Sequence, residues 1–237
     1  MHRRCSLCAP SVDCIFWQHA LAKCVYIVLR VVLAKKEAFE VVLVDLHLHT
    51  IYSGDSSITP KRLVDTLHAH SFLKTVAVTD HRTMEGYYHV SKLATVYEDV
   101  LVLPGIEVLT TQGDIVIIGT EERPPHPITP EKVIEFAEER NAIVIIPHAF
   151  RTLTSLGDYA RRLKPTAIEV FNPNATPKQN RMALELSKEL NLPQVAVSDA
   201  HNIEELGKGY TNVNAAQNVD EILTAIRNGQ TQPIQNL

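Results

Sequence analysis

From residue 25 onward the chain has no cysteine, because all four, Cys5, Cys8, Cys14 and Cys24, lie at its amino end. That excludes a disulfide scaffold and thiolate metal ligands for the bulk of the protein, and a reducing, cytoplasmic setting is expected. Nine Gly and 13 Pro in 237 residues are too few for a fibrous or low-complexity chain, and a hydrophobic content of 45% excludes global disorder. No uninterrupted apolar run spans a bilayer: Val25 to Leu33 is broken by Arg30, and Val12 to Leu33 by Asp13, Gln18, His19 and Lys23. Neither GxGxxG nor GxxxxGK[ST] occurs, so nucleotide binding of the Rossmann or P-loop kind has no support. A formal net charge of -4 gives no global reason to hold duplex nucleic acid.

Charge divides the chain in two. Residues 1–40 carry six Lys or Arg against three Asp or Glu, whereas residues 41–237 carry 17 against 24. We expect an amino-terminal extension over 1–40, disordered or arising from a mis-assigned start, followed by one domain over 41–237. Within the extension, Cys5-Ser-Leu-Cys8 is a lone CxxC without a recognised second pair for zinc. Arg3 and Arg4 precede an apolar run that comes late for a secretory signal, with no clear cleavage site after it. Val41, Val42 or Val44 is the alternative start.

From Val41 on, short β-branched runs alternate with amphipathic stretches. The pattern predicts strands over Val41–Leu48, Thr75–Thr79, Leu101–Leu109 with an interruption at Pro104-Gly105, Asp114–Gly119, Ile143–Pro147, Ala167–Phe171 and Gln194–Ser198. Helices are expected after Thr59-Pro60, Thr129-Pro130 and Thr176-Pro177, each an N-cap followed by Pro at the first helical position. Others are expected over Glu85–Tyr97, Leu156–Leu163 and Val219–Asn228, the last closed by Gly229. Such alternation implies an α/β fold of parallel strands with right-handed crossovers, either a closed barrel or an open doubly wound sheet.

What the chain does have is 11 His, and their placement matters more than their number. Metal-ligand types fall at the ends of five predicted strands: Asp45-Leu46-His47-Leu48-His49 followed by Asp55, Asp80-His81, Glu107, His148, and Asp199-Ala200-His201. In a parallel sheet those ends share one side, where catalytic groups collect. Alternation along an extended chain puts His47, His49 and Asp45 on one face. Taken alone, His148 reads most simply as a satisfied buried histidine, but so many costly polar groups on one rim are not expected of an inert core. His68, His70, His89, His2 and His19 fall outside this set and read as surface residues. Imidazole and carboxylate without thiolate suit Zn, Mn or Fe at catalytic sites, with Mg as a further option. Eight candidate ligands are too many for one ion, so two or three divalent ions with Glu107 as a bridge are expected.

In order and spacing, the segments DLHLHTIYSGD, VTDH, PGIEV, PHAF and SDAH resemble the polymerase and histidinol phosphatase (PHP) domain family, from Val41 to the carboxy end. The resemblance implies a distorted, TIM-like seven-stranded (β/α) barrel with a multinuclear metal centre and phosphoester hydrolysis. It implies that His47, His49, Glu107 and Asp199 hold one ion, that Glu107 and His148 share a second, and that His81, His201 and Asp55 hold a third, with Glu107, Asp199 and His201 central to catalysis. Asp55 stands where several relatives have His. Trinuclear relatives carry another His just after the fourth strand, where this chain reads Ile118-Gly119-Thr120-Glu121, with His126 a few residues later. The chain is similar to the short stand-alone branch acting on nucleotides and short oligonucleotides, and Ile168–Asn172 and Asn180-Arg181 share in that similarity.

The expected reaction is attack by a metal-activated water on a phosphomonoester or short phosphodiester. Arg151 and Arg82 follow His148 and His81 closely enough to bind phosphate oxygens, and Asn172 could line the pocket. Asp80 is expected to orient a ligand histidine. A small phosphorylated substrate is the expected partner, with neither membrane nor duplex nucleic acid. The rivals are a metal-dependent amidohydrolase, which would add a Lys at a strand end, and a non-catalytic RNA-associated barrel.

Overall fold

The computed structural model describes residues 41–236. The expectations placed on residues 1–40, including the CxxC and the extension itself, lie outside the described residues. Among the described residues, no helix is long and apolar enough to cross a membrane.

Nine strands form one sheet: β1 Val41–Leu48, β2 Thr75–Val78, β3 Leu101–Leu109, β4 Asp114–Ile118, β5 Ile143–Ile146, β6 Ala167–Phe171, β7 Gln194–Ala196, β8 Gly209–Asn214 and β9 Thr231–Gln235. Their order is β7-β6-β5-β4-β3-β2-β1-β8-β9. The chain beyond β7 then returns to β1: Asp199 N–H donates to the His47 carbonyl at 2.8 Å, and His49 N–H to that of Ala200 at 2.9 Å. The first seven strands thus close on themselves at the rim as a distorted barrel. Below the rim, β8 pairs with Val41–Val44 of β1. Between β7 and β8, the Thr211 hydroxyl both accepts from Ala196 N–H and donates to its carbonyl, in place of a ladder.

Two expectations are corrected. Seven strands were predicted and nine are found, because GYTNVN and TQPIQ carry Asn, Gln and Pro where an apolar run would mark a strand. Pro233 is tolerated because β9 ends the sheet order, where one edge needs no donor. The strands are also not all parallel, since β4 runs against both β3 and β5. Only residues 110–113 separate β3 from β4, room for a hairpin but not for a crossover. The anticipated interruption at Pro104-Gly105 is a change of partner within one strand, which pairs with β2 through Pro104 and with β4 from Gly105.

Five α-helices pack around the sheet: α1 Pro60–Ala69, α2 Glu85–Ala94, α3 Pro130–Glu138, α4 Pro177–Glu189 and α5 Val219–Arg227. Thr59, Thr129 and Thr176 cap α1, α3 and α4, each accepting a backbone N–H three residues on. The helix expected over 156–163 is a 3-10 helix, Gly157–Arg162, entered through Gly157 at φ 53. Inside the barrel, Val44, Leu46, Leu103, Val116, Ile118, Ile143 and Ile145 pack with Ile222, Leu223 and Ile226 of α5. Apolar side chains therefore fill one part of the barrel interior, and the polar residues gather at the rim.

Candidate metal centre

The register of β1 slips between Asp45 and Leu48. Val42, Val44 and Leu46 face the inner core while Leu43 packs on the outer one, so alternation alone would turn Asp45 and His47 outward together. The bulge re-aims His47 into the barrel mouth, a common use of bulges beside functional sites. This corrects the expectation that Asp45 lines up behind the two histidines. Asp45 is instead fully buried, accepting from Ser198 N–H at 3.0 Å, and burial pushes its carboxyl up to about 7.

His47 Nε2 and His49 Nε2 lie 3.0 Å apart. Glu107 Oε2 stands 3.5 and 3.4 Å from them, and Asp199 Oδ1 stands 3.6 and 3.3 Å away. Bonds of about 2.0–2.1 Å to a tetrahedral ion require donor–donor edges of about 3.3–3.4 Å, and His47, His49 and Asp199 with Glu107 beside both histidines approach that spacing. A second group comprises His81 and His201, whose Nε2 atoms lie 3.2 and 3.4 Å from Asp55 Oδ2, with His49 stacked on the His201 ring. A third group comprises Glu107, Asp114 and His148, with His148 Nε2 3.2 Å from Glu107 Oε1. Glu107 turns Oε2 to the histidine pair and Oε1 to His148, an arrangement that would suit a carboxylate shared between two ions.

All eight residues expected as ligands fall into these three groups. Asp114 was missed. Because β4 runs antiparallel, its beginning rather than its end reaches the rim, so the position sought at Ile118–Glu121 is on the wrong side and Asp114 is on the right one. The short gap after Leu109 was the available signal. His126 joins none of the groups and is exposed.

Glu169 of β6 was also missed. It is buried, its Oε1 lies 2.7 Å from His47 Nδ1, and its Oε2 accepts from His148 N–H at 2.9 Å and from Asn172 Nδ2 at 3.1 Å. One carboxylate thus fixes two of the histidines. Asn172 also donates to Asp199 Oδ2, which receives Arg151 Nη1 at 3.1 Å. These bonds leave Asp199 Oδ1 turned toward the histidine pair. Asp80 acts one step further out than expected: it accepts from Thr50 and from Ser53 Oγ, and Ser53 Oγ contacts His49 Nδ1 at 3.0 Å. Arg82 is exposed beside His81, its N–H bound to the Glu107 carbonyl at 2.9 Å.

Three of these residues have left-handed backbones without being glycine: Arg82 at φ 58, His148 at φ 29 and Asp199 at φ 47. Such conformations cost about 1–3 kcal/mol each and persist where the surroundings over-determine them.

The electrostatics call for a cation. Burial by itself pulls the His47 imidazole down, yet Glu169, Asp199 and Glu107 outweigh it and hold His47 well above its ordinary value. Burial likewise pushes Glu107 and Asp199 up, and the histidines overcome it and keep both well below the usual carboxylate range. Burial pushes Asp114 up, reinforced by the charge of Glu107. Buried carboxylates thus outweigh the positive charge that one extra proton can supply, a donor set suited to divalent ions.

A family model described as PHP domain matches residues 45–160, and one described as PHP-associated matches 177–231. The chain is 33% identical over 139 residues to the uncharacterized protein MJ1587 of Methanocaldococcus jannaschii, covering 54% of this chain and 80% of that one. It is similar in fold to a candidate metal-dependent phosphoesterase from Bifidobacterium adolescentis, with TM-score 0.60, 17% identity, and coverage of 77% of this chain and 96% of the other. The lesion-specific endonuclease PfuEndoQ from Pyrococcus furiosus gives TM-score 0.63 and 21% identity over 82% and 58% of the two chains. An amidohydrolase from Chromobacterium violaceum gives 0.58 and 14% over 82% and 98%. At these identities the structural likeness is one of fold. The matched family models establish that the chain belongs to the PHP domain family.

Proposed function

We infer that the protein is a metal-dependent phosphoesterase acting on a phosphomonoester or short phosphodiester of nucleotide or oligonucleotide type. The observation that carries this is the sharing of Glu107 between adjacent groups of donor atoms, one of them near tetrahedral spacing. Two or three divalent ions held there, Zn, Mn, Fe or Mg, supply Lewis acidity and a nucleophile drawn from water. In the reaction the water oxygen joins phosphorus, the bond to the leaving oxygen breaks, and a proton ends on the leaving alcohol.

The chain's own residues position the reactants. Glu107 ties the groups together, and Asp199 is held by Arg151 and Asn172 so that one oxygen stays free for the centre. Arg151, partly exposed and already at the carboxylate, and Arg82, exposed at the rim, can each bind phosphate oxygens in a planar fork. His201, in the second group beside Asp55, is partly exposed at the mouth. The strand ends that carry these donors hold no lysine in the sequence, which favours phosphoester over amidohydrolase chemistry.

The test is a panel of phosphomonoesters, nucleoside bisphosphates, short oligonucleotides and cyclic amides, assayed with Mn, Zn, Mg and Fe while metal content is measured on the same sample. Ion-dependent phosphate release with two or three ions per chain is expected. Turnover of amides alone, or metal-free protein that hydrolyses nothing when ions are added, would overturn it.

A further inference from the structure

The three groups of donor atoms differ in chemistry as well as in position. His47, His49 and Asp199 bring two imidazoles and one carboxylate, and His81 and His201 stand with His49 as a set of imidazoles that has Asp55 beside it. Glu107, Asp114 and His148 reverse the balance, with two carboxylates and one imidazole whose donor atoms lie within 4.8 Å of one another. Asp199 is also paired with an arginine, Arg151 at 3.1 Å, whereas neither Glu107 nor Asp114 meets a lysine or arginine among the described residues.

The local backbone fixes this third group. The loop after His148 folds back on the start of β4: Asp114 N–H donates to the Thr154 carbonyl at 2.6 Å, and Gly157 N–H to that of Ala149 at 2.8 Å. So close an approach requires Gly113, where a Cβ would lie 2.7 Å from Leu156 N and from Ser155 C. Ser155 Oγ donates to the His148 carbonyl at 2.7 Å and stands 3.4 Å from its Nδ1, which leaves Nε2 for Glu107 at 3.2 Å. Glu107, Asp114 and His148 are all buried. Two carboxylates held together with so little water are costly unless a cation offsets them.

Donor type selects the cation. Imidazole suits zinc, whereas carboxylate oxygen suits manganese and magnesium. Raw affinity favours zinc over manganese at nearly any site, so the donors change the margin, and it is narrowest where oxygen dominates. We propose that Asp114 makes the Glu107–Asp114–His148 group selective for manganese, so that the centre holds two kinds of ion, zinc at the imidazole-rich groups and manganese at this one. This selectivity presupposes the metal-dependent reading above and does not depend on the substrate.

A competition titration on the full chain tests it without any assay of turnover. Metal-free protein is saturated with Mn and zinc is added stepwise, with free Mn read by electron paramagnetic resonance and bound metal by elemental analysis after ultrafiltration. The wild type should retain about one Mn per chain at zinc concentrations that displace the rest. Asp114→His, which makes the group imidazole-rich, should release that Mn at about tenfold less zinc. Asp114→Asn keeps the side-chain volume and should lose the same Mn while zinc still binds beside His47 and His49, which keeps the selectivity testable if the histidine variant does not fold. Single-phase replacement of all Mn by zinc in the wild type, an unchanged curve for folded Asp114→His, or retention of the zinc-resistant Mn by Asp114→Asn overturns the selectivity and leaves the metal-dependent reading standing. Protein that takes up neither ion overturns both.

Discussion

His47 carries two contacts that pull in the same direction. Its Nδ1 lies 2.7 Å from Glu169, and its Nε2 joins His49, Glu107 and Asp199. Replacing Glu169 by Gln leaves the volume and removes the charge that fixes the ring, so metal affinity should fall by about 10–100-fold in a competition titration. Unchanged affinity would show that the contact is incidental. The ion-free protein holds a proton on His47 above its ordinary value, and a metal must displace it, so binding releases a proton. Apparent metal affinity should therefore rise with pH while His47 is still protonated and level off above that range; a flat profile would place the proton elsewhere. At this scale the sequence was informative wherever ligand types stood at strand ends, as with His47, His49 and Asp199. Glu169 lay hidden because AIEVF reads as an ordinary buried strand, and its single carboxylate has meaning only once β1 and β5 bring His47 and His148 beside it.

Among the elements, α2 lies closest to the support of the centre. A Cβ at Gly86 would collide with Asp80 Oδ2 and Thr50 Oγ1, the bonds that hold Ser53 against His49. Gly86→Ala should thus cost about 1–3 kcal/mol in denaturant unfolding and reduce activity as well, whereas a stable, fully active variant would mean that the network yields without consequence. At α4, Thr176 and Gln179 form a reciprocal capping box. Thr176→Ala should cost about 1 kcal/mol with little effect on turnover, as expected of a cap remote from the rim. Helix starts were legible because Thr-Pro pairs act locally. The reversal of β4 was not, because it depends on a four-residue turn whose meaning lies in pairing, and with it went the position of Asp114. The bulge in β1 left no mark on a pattern that alternates cleanly.

For the molecule as a whole, the rim gathers residues from seven segments whose only common feature is the end of the barrel they reach. Ions that bind this arrangement and not the unfolded chain stabilise it by mass action, about 4 kcal/mol when the free ion is a thousandfold above its Kd. Chelation should accordingly lower the unfolding midpoint of the wild type by several degrees and barely move that of His47→Ala. The α/β class could be read from the alternation of strands and helices, whereas closure into a barrel was implied only by the family resemblance of the ligand-bearing segments. The antiparallel β8–β9 pair could not be read, because its polar strands contribute little to the core. The most direct test of the central claim is the rate of phosphate release from a phosphomonoester by metal-replete protein, wild type beside Asp199→Ala. We predict ion-dependent turnover in the first and at least a hundredfold loss in the second with the fold intact; equal rates in the two would contradict the assignment.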